Sequence, residues 1–310
     1  MRGLCLGALL VVWGVAIGAA EYRQAARPAA PEPTLQKLAE NLYVIGNADP
    51  RNRETFTGGN TGIFITTQGV VVVDTKLATW GSMILSKVKS VTNKPVTTII
   101  NTHTHFDHAG SNAEFPATID FVAHENAKRS MMQTKCPPVT SCFTGDNARF
   151  LPKHTVKDKL SLFSGKDQID LYHFGRGHTS GDSFVVFPAV RVMHAGDMYP
   201  RSQMPFVDTV NSGGAAVEFN KTLQGALTTI KNVDIVVGGH TPMATTWNDF
   251  RVYTEFYKAF LTAAQDAMKK GTPVETFIKG YAVPAAFPGF VADPVRIKAN
   301  AEAIWAESKR

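Results

Sequence analysis

Short apolar runs, broken by glycine, proline and polar turns, set the rhythm of the chain from about residue 40 onward. Residues 42–45, 62–66 and 70–74 each read as a β-strand, with Gly69 at a turn between the last two. Residues 80–91 carry apolar positions at helical spacing, and 97–100 is again strand-like and runs straight into a histidine cluster. Residues 119–123 read as strand and 124–132 as helix, followed by an irregular stretch at 133–154 that contains prolines, a glycine and two cysteines. A loop of that length inside a compact domain is often functional. A second series of short strands is expected at 159–163, 169–174, 182–187 and 190–194. Helix at 215–231, a buried strand at 234–237 and helices at 250–268 and 294–306 complete the pattern. No solenoid-type repeat is present. Two strand-rich halves, each followed by helices, predict an α/β fold with a two-layer β core and helices outside it.

The two ends carry different information. Arg2 precedes an apolar run over residues 4–17, and Gly18-Ala19-Ala20 supplies small residues at a cleavage site. Residues 1–20 therefore read as a secretory signal peptide, with the mature chain starting near Glu21. The run is shorter than the about 20 apolar residues that a membrane span needs, and no other segment approaches one. The expected location is exported, periplasmic or secreted, with no stable membrane span once the signal is removed. Residues 21–34 form an Ala/Pro-rich linker, and 35–310 is expected to be a single domain with C-terminal helices. Cys136 and Cys142 are the only cysteines left after signal removal. They flank Pro137-Pro138, and in an oxidising compartment they are expected to pair.

Composition adds little beyond this. Hydrophobic residues make up 44% of the chain and charged ones 19%, ordinary for a packed globular protein. The formal charge of +6 could suggest nucleic acid. The basic residues are scattered, however, and those near 157–159 are interrupted by an acid, so a solvated basic surface is expected rather than a nucleic-acid site, one compatible with anionic substrates or envelope surfaces. The expected partner is a small-molecule substrate. The sequence carries no signal for the oligomeric state.

The chemistry concentrates at one place. His103-Thr104-His105-Phe106-Asp107-His108 puts three imidazoles and a carboxylate within six residues, at the end of a buried strand. Packing has no use for so many polar groups there, whereas a metal needs several donors converging on a point. Alternate side chains leaving a strand can face one ion, and those past the bend a second. Imidazole with carboxylate suits zinc and is also compatible with iron or manganese. The other histidines read as ordinary structural groups: His124 opening a helix, His154 in a loop and His173 along a strand. His194, close before Asp197, is a candidate for supporting a ligand. Tyr199, Phe206 and Trp247 are candidate pocket residues because each follows a ligand motif.

The hexapeptide resembles the metal-binding motif of the metallo-β-lactamase superfamily, and further motifs follow in the family's order. These are Gly177-His178-Thr179-Ser180-Gly181-Asp182, then Ala195-Gly196-Asp197, then Gly238-Gly239-His240. The resemblance spans about residues 41–241. It implies a four-layer αββα sandwich with metals at one edge of the two sheets. It also implies that His103, His105 and His178 hold a first metal, that Asp107, His108 and His240 hold a second, and that Asp197 bridges them. Gly177 and Gly196 are expected to form tight turns. Asp74, at the end of an apolar run, resembles the family's supporting acid that orients a ligand histidine.

The resemblance implies a hydrolase with two zinc ions per chain, in which a metal-bridging hydroxide attacks an amide, ester or thioester. β-Lactam, lactone and thioester substrates all fit, with Asp107 steadying the leaving group. Asp197 as a bridge is closer to the thioesterase and lactonase branches. The alternative on the same fold is a mononuclear iron persulfide dioxygenase, using His103, His178 and Asp197. The family's flavin-linked di-iron reductases place an acid where His105 stands, and a decayed, non-catalytic relative is at odds with a fully occupied ligand set.

Overall fold

The computed structural model describes residues 32–46, 52, 55–240 and 242–308. The expected signal peptide and all but the last three residues of the expected linker lie outside the described residues. Those three are tied to the domain: Glu32 pairs with Lys87, and the Thr34 carbonyl accepts from Gly46 N at 2.8 Å.

Seven strands form the first sheet, in spatial order β1 to β7. They are β1 (Leu35–Ala39), β2 (Leu42–Ile45), β3 (Thr61–Ile65), β4 (Val70–Val73), β5 (Val96–Ile100), β6 (Asp120–His124) and β7 (His154–Val156). The first four pair antiparallel and the rest parallel. The parallel crossovers carry α1 (Gly81–Val91), the short α2 (Phe106–Ala109) and α3 (Glu125–Met131). β4 is four valines, all fully buried, because a central strand is covered on both faces and needs no polar alternation.

The second sheet runs β13-β12-β11-β10-β9-β8. Its strands are β8 (Lys159–Leu162), β9 (Ile169–Tyr172), β10 (Phe184–Phe187), β11 (Val192–His194), β12 (Ile235–Val237) and β13 (Thr245–Thr246). Helices α4 (Ala216–Thr229), α5 (Trp247–Lys269), α6 (Val274–Gly280) and α7 (Pro294–Glu307) follow the strands of this half. Three apolar clusters define the layers. Phe64, Val71, Val73 and Ile100 of the first sheet meet Leu171, Val185, Phe187 and Val237 of the second. The Phe64 and Phe187 rings lie 4.8 Å apart across that interface. The outer face of the first sheet is covered by α1 and α3, and that of the second by α4, α5 and α7. The result is the αββα sandwich expected from the sequence.

Most expected elements are present with ends displaced by a few residues. Five depart from expectation: β1, α2, β7, β13 and α6. β1 (LQKLA) is largely exposed at the sheet edge, so it lacks a buried face to mark it. β7 places His154 on an edge strand rather than in a loop. α5 starts a turn earlier than expected because Thr246 and Asp249 form a reciprocal capping box.

Parallel pairing is what positions the site. In-register β4 and β5 bring Val73 beside Ile100, and Asp74 N continues the ladder to Ile100 O. In-register β11 and β12 bring His194 beside Val237. The segments leaving β5, β11 and β12 therefore emerge together, at the carboxyl ends of parallel strands where α/β sheets place ligands.

Candidate metal centre

All seven candidate ligands converge at this edge. His103 and His105 lie in the segment leaving β5, and Asp107 and His108 in α2 directly after it. His178 comes from the loop between β9 and β10, Asp197 from the turn after β11, and His240 from the end of β12. Donor atoms of His103, His105 and His178 lie within 4.8 Å of one another, as do those of His103, His108 and Asp197, and those of Asp107, His108 and His240. The first and third groups coincide with the two triads that the resemblance implies. Asp197 lies between them: Oδ1 is 3.2 Å from His108 Nε2, and Oδ2 is 3.5 Å from His178 Nε2 and 3.2 Å from His240 Nε2.

The outward-facing atoms fix which nitrogen of each ring points inward. His178 Nδ1 lies 2.6 Å from the Phe206 carbonyl, which can only accept, so the proton sits on Nδ1 and Nε2 carries a lone pair. His105 Nε2 lies 3.1 Å from the Asp208 carboxylate, so Nδ1 is its lone-pair nitrogen. Those two lone-pair nitrogens are 2.8 Å apart. Two imidazole lone pairs at that distance repel unless a cation lies between the donors. His108 Nδ1 donates to Asp74 Oδ2 at 2.7 Å, which turns Nε2 toward Asp107 and Asp197. His103 Nδ1 is 3.0 Å from the Thr102 hydroxyl, which itself donates to Asp74 Oδ2 at 2.7 Å. His103 Nε2 is buried with no hydrogen-bond partner, and His108 Nε2 and Asp197 Oδ1, though 3.2 Å apart, are buried without a well-formed hydrogen bond. Buried polar atoms left this way are costly, and a metal satisfies all three. The donor set therefore fits a cation at each group.

Asp74 thus supports both groups, holding His108 directly and His103 through Thr102. Its backbone at φ 63° lies in the left-handed region, which aspartate tolerates and which turns the carboxylate under the cluster. Asp208, which no sequence motif marks, does the same for His105. Burial would raise its carboxyl, but hydrogen bonds from His105, the Asn211 backbone and Ser212 hold it well below the usual carboxylate range. Gly196 has φ 51° and makes the tight turn expected before Asp197. Gly177 has no positive φ; the space it leaves is filled by Met198, whose sulfur would lie 2.4 Å from an added Cβ.

The electrostatics follow from burial and crowding. Burial, then the neighbouring histidines, push His103 well below its usual range and His178 to about 4. His108 is raised despite its burial, because Asp107, Asp197 and Asp74 surround it. Asp197 is held well below the carboxylate range by His240 and His108, which outweigh burial. Burial lifts Asp182 to about 7, and its carboxyl accepts from the Thr179 backbone and hydroxyl, bracing the loop that carries His178. Lys76, fully buried, donates to the Gly59 carbonyl at 2.7 Å and is lowered by that burial to about 7, against the pull of Asp74 and Asp107.

A cleft of about 230 Å³ opens onto the cluster, and its lining includes Phe56, Phe106, Val139, Met204, Phe206 and Arg296. Of the three aromatic candidates, Phe206 lines this cleft. Tyr199 packs in the core against Phe250 and Tyr253, and Trp247 begins α5. His194 supports the site through the backbone, facing the Asn60 carbonyl at 3.2 Å and accepting from Gly196 N at 3.2 Å. Cys136 and Cys142 are joined in a disulfide, with Cα atoms 5.7 Å apart. Their loop is stitched to the ligand segment: Phe106 N donates to Val139 O at 3.1 Å and Ser141 N to Thr104 O at 2.8 Å.

A buried cluster of inward-facing imidazole lone pairs and carboxylates, at the strand ends of an αββα sandwich, defines a metal-dependent hydrolase. The chain belongs to the metallo-beta-lactamase superfamily, whose profile matches residues 55–240. It is 27% identical over 218 residues to a metallo-beta-lactamase type 2 from Elizabethkingia meningoseptica, covering 68% of this chain and 79% of that one. The fold is similar to a metallo-beta-lactamase from Pontibacter korlensis (TM-score 0.60, 16% identity, 73% of this chain and 99% of that chain). It is also similar to the sec-alkyl sulfatase PisA1, with a TM-score of 0.68 at 13% identity over 89% of this chain and 50% of that one. Among the described residues, no helix is long and apolar enough to cross a membrane.

Proposed function

We propose that the chain is an exported hydrolase that holds two zinc ions and cleaves an amide, ester or thioester bond. The observation that carries this reading is the 2.8 Å approach of His105 Nδ1 and His178 Nε2, each ring's tautomer being fixed from outside. His103, His105 and His178 would hold one ion, Asp107, His108 and His240 the other, with Asp197 shared. Such ions, when bound, supply Lewis acidity and bring the pKa of water toward neutrality.

The chain's own residues do the rest. Asp74 and Asp208 keep the ligand rings in the tautomers that leave lone pairs inward. Asp107, partly exposed and 3.4 Å from His240 Nε2, reaches the cleft and is the group placed to pass a proton to the leaving atom. The aromatic walls restrict water and lower the local dielectric, which strengthens every charge interaction inside. A mononuclear iron dioxygenase is not favoured: it would leave Asp107, His108 and His240 gathered with nothing to bind.

The test is metal content of purified protein, with nitrocefin, a lactone and a thioester assayed side by side. About two zinc ions per chain and chelator-sensitive turnover are expected. A single iron with no hydrolysis would overturn the proposal.

A further inference from the structure

We propose that Arg296 selects the substrate, binding an anionic group on its non-reacting end, with an apolar portion held between that group and the scissile bond. The inference rests on the hydrolase reading above and names its substrate class.

Arg296 stands in the first turn of α7 and lines the same cleft as His105, His178 and Asp197. Its guanidinium carbon lies 4.7 Å over the Phe206 ring. That ring in turn is 5.7 Å from His178 and 6.1 Å from His105, centre to centre. The cation is thus one aromatic ring away from the metal ligands. This cation–π contact holds the guanidinium against the ring while its N–H donors stay available to an anion.

The position is held firmly from behind. Asp293 caps α7 by accepting from the Val295 and Arg296 backbones, at 2.9 and 3.0 Å. Asn300, one turn further on, donates to Pro205 O at 2.9 Å, and Val291 N donates to Ser202 O at 2.9 Å. The helix start and the 202–206 segment therefore form one wall, and Phe206 serves both ends of it, with its carbonyl on His178 and its ring under Arg296.

No side-chain hydrogen bond or ion pair engages the guanidinium among the described residues. Asp293, the acid beside it, faces backbone amides instead. A half-buried cation on an apolar wall, with no carboxylate in contact, is an arrangement that a bidentate anion completes. Between that cation and the ligand histidines lies the Phe206 ring, and Met204, Val139 and Phe56 add apolar surface to the same cleft beside the uncharged polar side chain of Gln203. The substrate class that fits is an amphiphilic acid: a carboxylate at one end, an apolar spacer, and the labile acyl bond at the other.

Two paired measurements on the metal-loaded full chain test this, each comparing wild type with R296Q and R296K. Calorimetry compares 4-phenylbutanoate with 4-phenylbutanamide. Wild type should bind the acid at least tenfold more tightly, R296Q should bind both within about threefold, and R296K should fall between. Kinetics compare mono(4-nitrophenyl) glutarate with 4-nitrophenyl pentanoate. The anionic-to-neutral ratio of kcat/KM should fall at least tenfold in R296Q, mainly through KM. Equal binding of acid and amide by wild type, or an acid preference that survives in R296Q, overturns the proposal. If neither ester is cleaved, the ester-hydrolase reading fails by itself, and the calorimetric comparison still decides the part played by Arg296.

Discussion

Asp74 Oδ2 accepts from His108 Nδ1 at 2.7 Å, with both side chains fully buried. The same oxygen takes the Thr102 hydroxyl, which sits against His103. One carboxylate therefore sets the ring orientation in both donor groups. Asp74→Asn keeps the shape but loses the charge that holds the Nδ1 proton. Zinc affinity and kcat/KM should each fall on the order of 10–100-fold, read by chelator competition and by steady-state kinetics. An unchanged affinity would remove Asp74 from the metal support.

Asp208→Asn should act on the other side of the site. The Asp208 carboxylate reaches only His105 among the candidate ligands, so the first group should weaken while the second is spared. Stepwise metal titration of the two variants should separate them: on the order of a 10-fold loss confined to the first group in Asp208→Asn, against losses at both groups in Asp74→Asn. Equal loss at both sites in Asp208→Asn would contradict this division.

A disulfide six residues in span staples the loop whose backbone holds Thr104 and Phe106. Cys136→Ser with Cys142→Ser should lower stability by about 2 kcal/mol on loop-closure grounds. It should also reduce kcat/KM several-fold, because Val139 of the same loop lines the cleft. Thermal unfolding and kinetics of the double variant, and of wild type with and without reductant, check both. A stability loss with unaltered kinetics would mean the loop does not steady the ligand segment.

His124 stacks on His173 at 3.7 Å between ring centres, and neither belongs to the candidate ligand groups. Burial, then His173, lower His124 from 6.5 to about 4, and burial lowers His173 as well. The Lys157 and Asp182 carbonyls, Arg129, Asp158 and Glu125 are the other groups acting on the pair. The folded state keeps His124 neutral where the unfolded chain takes up a proton. Its contribution is therefore intact above pH 6.5 and lost progressively as pH falls toward 4, roughly 2 kcal/mol with solvent screening taken into account. His124→Asn retains the helix cap that His124 Nδ1 makes to Asn126 N. Denaturant unfolding from pH 7.5 to 4.5 should show a shallower fall in that variant. Parallel curves would assign the acid sensitivity elsewhere.

Much of this site is legible in the sequence, for a physical reason. Ligands from His103 to His108 are adjacent along the chain, and His178, Asp197 and His240 each sit in a glycine-marked turn after an apolar run. Asp208 has no such mark. It meets His105 across 103 residues, through a loop with no periodicity, brought there by hydrogen bonds such as those from Asp208 N to His178 O and from Gly214 N to Asp208 O. Arg296 is hidden differently. Its helix is expected, but an arginine in a first helical turn reads as solvent-facing until α7 docks against Phe206. The edge strand β1 and the two-residue β13 escape the pattern because neither buries a full face.

The candidate ligands are drawn from both leaves of the sandwich. His103, His105, Asp107 and His108 leave the first sheet, whereas His178, Asp197 and His240 leave the second. An ion held by either group would rivet the leaves together at an edge where the buried interface is interrupted by polar side chains. Metal supply would then govern how long the chain survives as well as how fast it works. A molecule starved of zinc would open along that seam more often, and proteases in its compartment would clear it first.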